Sequence, residues 1–114
     1  MIDHATFDEL QAQAGAEFVA ELVASFEEEA ARMLAELREA AAAGAAEPFR
    51  RAAHSIKSNA STFGATRLAE MARALELGGL PADAAGARAT LAAVAALEGE
   101  CQHTLAALHT MARG

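Results

Sequence analysis

The sequence predicts an all-α fold: a single domain over residues 1–114, built as an up-down antiparallel four-helix bundle with a short N-terminal covering helix. Three observations point there. Hydrophobic residues make up 54% of the chain but aromatics only 4%, with no Trp or Tyr, so the core must come from Leu, Ala, Val, Met and five Phe. Alanine, the best intrinsic helix former, is abundant, while prolines number only two. Apolar residues recur at alternating spacings of three and four, the period of a helix with one buried face.

The elements follow in order. Thr6 with Glu9 three positions on has the form of a capping box, and predicts a first helix over residues 6–14 with Phe7 and Leu10 as its apolar edge. Residues 16–43 carry Val19, Leu22, Phe26, Ala30, Met33, Leu37 and Ala40 on one stripe. Glu27, Glu28, Glu29 and Glu36 lie mostly off it, as a solvated acidic face. Gly44 suits the end of that helix. Pro48 suits the first turn of the next, where its missing N–H is no loss, and Gly64 suits its end. Residues 66–77 follow almost at once, with Leu68, Met71, Ala72 and Leu75 on one face, so the two helices form a tight hairpin. The run Gly78-Gly79-Leu80-Pro81 is a turn, too short for a domain linker. A last helix runs from about Asp83 to Arg113 on the stripe Leu91, Val94, Leu97, Cys101, Leu105 and Leu108. Gly86 and Gly99 are its weak points.

Charge and length exclude several functions. A net charge of −7 disfavours nucleic acid and anionic membranes as partners. No apolar run approaches a membrane span. The N-terminus lacks the basic and apolar regions of a signal peptide, and the single Cys101 can form no internal disulfide, so a cytoplasmic location is expected. Met1 and the compact length fit a free-standing protein, expected to be a monomer.

Residues 48–65, PFRRAAHSIKSNASTFGA, organise the rest. With His54 at zero and about 100° per residue, Phe49, Ala52, Ala53, Ile56, Ala60 and Phe63 fall between roughly 160° and 260°. Arg50, Arg51, Lys57, Ser58 and Ser61 fall within about 60° of His54. The histidine therefore sits in the middle of the polar face, opposite the core stripe. A neutral imidazole is a competent nucleophile near neutral pH. Lys57, one turn along, can offset the charge of a phosphoryl group on the ring. Ser58 and Ser61 are small enough for another protein to approach, and Arg50 and Arg51 give the face a positive bias.

The segment Ala53 to Glu76, AHSIKSNASTFGATRLAEMARALE, resembles the signature of histidine-containing phosphotransfer domains. That signature reads Ala-His-x-Leu-Lys-Gly, then Gly-Ala and a Leu, then a helix ending in Leu-Glu. The family's phosphoacceptor falls on His54 and its lysine on Lys57. The closing Gly-Ala falls on Gly64 and Ala65, the leucine on Leu68 and the Leu-Glu pair on Leu75 and Glu76. Ile56 replaces a leucine, and Ser58 replaces the glycine that lets a partner approach.

The resemblance implies a phosphorelay intermediate. His54 would accept a phosphoryl group on its outer ring nitrogen from the phospho-aspartate of a response-regulator receiver, and pass it to another. Lys57 would stabilise the charge, and Arg50, Arg51, Ser58, Ser61 and Gly64 would meet the partner. The receiver would bring Mg²⁺, so no cofactor of the chain's own is implied. A hybrid histidine kinase is a further partner class. No Gly-rich nucleotide loop is present, so the chain is expected to be a phosphoryl carrier, not an ATP-dependent kinase.

Two alternatives remain open at this level. A bundle could dock receivers without carrying phosphate, but it would lack the histidine or the lysine. Glu100 and His103 have the Glu-x-x-His spacing of di-iron bundles, but no second pair accompanies them. His103 and His109 are six residues apart and do not share a face.

Overall fold

A computed structural model describes residues 2–81 and 83–113; Met1, Ala82 and Gly114 lie outside it. Five helices account for almost all of these residues, and none is in a strand. They are α1 (His4–Ala14), α2 (Ala16–Ala43), α3 (Ala46–Thr62), α4 (Thr66–Gly78) and α5 (Ala84–Arg113). Helix α2 packs on α3, α3 on α4, α4 on α5 and α5 on α2, and α1 lies against α2. At 1.5 Å per residue the 28 residues of α2 and the 30 of α5 span about 42 and 45 Å, which sets the longest dimension of the 47 × 20 × 19 Å molecule. One contiguous core joins all five helices, with Phe7, Phe26, Phe49, Ile56, Leu68 and Leu97 fully buried in it.

The helix ends explain how the site helix is held. Both α2 and α3 close in the same way. The Ala45 N–H donates to Ala40 O (2.9 Å) and the Gly44 N–H to Ala41 O; the Ala65 N–H donates to Ala60 O (2.9 Å) and the Gly64 N–H to Ser61 O. Each is a Schellman closure with glycine at positive φ, 68° at Gly44 and 75° at Gly64. The expected helix over residues 48–65 therefore starts two residues earlier, and its last three residues are the cap.

The N-terminus differs from the capping-box expectation. Helix α1 starts at His4, with Asp3 before it, and the Thr6 hydroxyl donates to Asp3 Oδ2 (2.6 Å). Glu9 instead accepts from Gln13. The Asp3 N–H donates to Gly64 O at 2.7 Å, and Ile2 and Phe7 are buried. The start of α1 is thereby stitched to the turn that ends α3.

Two stripes also shift. In α2, Val23 is buried and Leu22 only partly so. In α5 the buried set is Thr90, Val94, Leu97, Cys101, Thr104 and Leu108, while Leu91 is 53% exposed. These six follow strict four-three spacing. Hydropathy alone overlooks the methyl faces of the two threonines.

Candidate functional site

The roll of α3 is fixed by what it buries. Phe49, Ala52, Ala53, Ile56 and Ala60 are at most 3% exposed. Phe63, at the cap, stacks on Phe26 of α2 with ring centroids 5.3 Å apart. Anchored along its whole length, the helix presents the opposite face to solvent, and His54 stands on that face with its side chain 53% exposed.

The ring is not free to turn. His54 Nδ1 lies 2.7 Å from Glu76 Oε2, on α4, and Lys57 Nζ lies 2.7 Å from Glu76 Oε1. One carboxylate thus holds both the imidazole and the ammonium. It is the most sheltered of the three, 12% exposed against 28% for Lys57. The Lys57 ammonium holds the Glu76 carboxyl below the usual carboxylate range; partial burial opposes this and the hydrogen bond to His54 reinforces it. The carboxyl is therefore ionised at neutral pH and can only accept hydrogen bonds. His54 Nδ1 must carry the ring proton, and in the neutral ring the lone pair is left on Nε2. The pair of contacts selects the nucleophilic nitrogen and places a cation one helical turn away.

The other residues singled out from the sequence divide. Arg50, Arg51, Ser58 and Ser61 are all exposed on the His54 side of α3. Arg50 is turned back onto Glu47 of its own helix, so its charge is partly offset. Arg51 borders an open groove between α2 and α3 with Glu36, Glu39 and Ser55. Gly64 does not belong with them. It is buried, and a Cβ there would come within 2.9 Å of both Asp3 O and Thr6 Cβ. It packs under the start of α1 and lines a shallow surface groove with Thr6, Ser61 and Glu70. Glu76 is the site residue that helical periodicity did not single out; its only signal is the Leu75–Glu76 pair that closes the motif.

The Glu100–His103 pair does not converge on a metal site. Glu100 pairs with Arg67 of α4 at 3.4 Å, His103 is exposed, and His109 faces Glu27 at 3.3 Å. Among the described residues no group of three or more His, Cys, Asp or Glu side chains could hold a metal. Nor is any helix among them long and apolar enough to cross a membrane.

Compared with known protein families, residues 21–111 match the model of the Hpt domain. The chain belongs to the Hpt domain family. No curated protein and no solved structure matches it. The matched span of this Hpt domain runs from α2 into the last turn of α5 and contains His54, Lys57 and Glu76; α1 lies outside it. Hpt domains are histidine phosphotransfer carriers of phosphorelays, and they interact with receiver domains.

Proposed function

We propose that this Hpt domain takes a phosphoryl group onto His54 Nε2 from the phospho-aspartate of one response-regulator receiver and hands it to an aspartate of another. The observation that carries the reading is a half-exposed imidazole whose Nδ1 is occupied by Glu76, with Lys57 on the same carboxylate. Phosphoryl transfer depends mainly on positioning and electrostatics. A rigid up-down bundle that presents a nucleophile and a nearby cation supplies both. The receiver brings Mg²⁺ and the acidic pocket, so this chain needs no cofactor and no ATP. Arg50, Arg51, Ser58 and Ser61 form the rim over which a receiver docks. Arg50, Arg51 and Lys57 lie beside His54 on a chain of net charge −7, a local positive spot suited to an acidic protein partner; the same reading has the carrier cytoplasmic and monomeric.

The test is incubation with phosphorylated receiver domains of the source genome. Phosphate should appear on this chain, stable in base and labile in acid, and His54→Gln should stay unlabelled. Lys57→Ala should keep the fold but transfer more slowly. A wild-type chain that binds receivers yet takes no phosphate from any of them would be an inert docking module.

A further inference from the structure

The surface beside His54 carries charge of both signs. Exposed Glu36 and Glu39 of α2 line one wall of an open groove, exposed Arg51 of α3 lines the other, and buried Ala40 and Ala52 form the floor. We propose that Glu36 and Glu39 are specificity-determining residues: they select receivers that lay a helix in this groove with Lys or Arg toward α2 and a carboxylate toward Arg51. This rests on the carrier reading above, and it narrows the class of receiver that the site admits.

Register puts the groove where a partner centred on His54 has to lie. Helices α2 and α3 run antiparallel from the turn at Gly44 and Ala45, so residues equally far from that turn stand level. Glu36 is level with Ser55, the neighbour of His54, and Glu39 with Ala52, the neighbour of Arg51. The alanine floor lets a helix settle close, its ridge of side chains between the two walls. The groove is open along its length rather than enclosed, which suits a protein element better than a small ligand.

The charges on its walls are uncommitted. Arg38, Arg50, Lys57 and Arg67 each hold a carboxylate of this chain, at Glu98, Glu47, Glu76 and Glu100. Among the described residues, Glu36, Glu39 and Arg51 form no ion pair. In the free chain they face one another across water, which screens them. A docked receiver expels that water and lowers the local dielectric, so matched charges gain and mismatched ones cost more. A receiver with a carboxylate toward α2 would bury like charges together and be rejected. Because the acids lie on one wall and Arg51 on the other, a matching helix fits one way round, and that fixes the rotation of the receiver about His54.

The experiment uses the full chain and two kinds of phosphodonor: purified phosphorylated receiver domains of the source genome, and phosphoramidate, which is too small to need docking. The variant is Glu36→Lys with Glu39→Lys, and thermal melting checks its fold. For the receiver that labels wild type fastest, kcat/KM should fall about tenfold, the scale of two exposed charge pairs turned into repulsions. Raising salt should slow transfer to wild type but not to the variant. Phosphoramidate should label both at the same rate. Changing the Lys or Arg of the receiver's docking helix to Glu should slow transfer to wild type and restore transfer to the variant. A folded variant that takes phosphate from that receiver at the wild-type rate would overturn the proposal and leave the carrier reading standing. Equal slowing with phosphoramidate would also overturn it, by placing the acids in the reacting site. So would a wild-type dimer that the variant splits into monomers, since the groove would then belong to a second copy of this chain. If no receiver labels His54, with or without label from phosphoramidate, the carrier reading falls and this proposal falls with it.

Discussion

At the scale of single residues, Glu76 carries opposing influences on one carboxyl. The Lys57 ammonium and the hydrogen bond to His54 pull its proton affinity down, partial burial pushes it up, and the net effect is downward from an ordinary value of 4.5. The sign of the linked stability follows. A carboxyl whose folded pKa is depressed stabilises the fold above its unfolded value, and that contribution is lost as pH falls through the folded value. Below pH 4.5, wild type should therefore lose stability with a slope that Glu76→Gln lacks. Thermal melts of the two proteins across the acid range check this, and parallel curves would mean that the carboxylate contributes nothing in solution. His54 and Lys57 were legible in the sequence because a single helix projects its own polar face. The role of Glu76 was not, since the period of α4 shows only that the residue lies off the core stripe. Which neighbouring helix it meets depends on how α3 and α4 pair.

At the scale of helices, two glycines that look alike in sequence part company. Gly99 lies mid-α5, and a Cβ there would meet nothing within 4 Å. Gly86 lies in the first turn, where its N–H donates to Asp83 Oδ1 at 2.6 Å as a helix cap, and an added Cβ would run into the Pro81 ring. Gly99→Ala should raise stability by about 0.5–1 kcal/mol through helix propensity and a less flexible unfolded chain. Gly86→Ala should lower it, because the collision outweighs the same gain. Urea denaturation of both variants separates the cases, and equal gains would contradict the observed turn. The glycine pattern thus located breaks and weak points but not the contacts that decide their sign. The same holds for Gly64, whose left-handed φ is readable from its place after α3 but whose neighbour, the start of α1, is not. Helix existence and core faces were legible because a 3.6-residue period is local. Leu91 turned outward and Thr90 inward because the stripe is chosen by the helices that α5 packs on, and a threonine can present its methyl group to them.

At the scale of the whole molecule, the continuous core argues for a single cooperative unit, and Cys101 offers a probe of it. It is the only cysteine, so any label is unambiguous. Its side chain is 1% exposed within α5, and burial, reinforced by the charge of Glu98, pushes the thiol from 9.0 up to about 11. Alkylation needs the thiolate and access to it, and the folded protein withholds both. In mildly alkaline buffer, labelling should be slowed by about 10³-fold or more relative to the unfolded chain, since global stabilities are typically about 5–15 kcal/mol. As urea rises, the labelling rate should track the fraction unfolded seen by circular dichroism. Labelling that runs ahead of that curve would show α5 opening away from α2 and α4 on its own, and the molecule would then consist of more than one cooperative unit. The alkaline limb has a definite sign. Between pH 9.0 and about 11 the unfolded thiol ionises while the folded one does not, so stability should fall as pH rises through that window, and Cys101→Ala should remove that part of the slope.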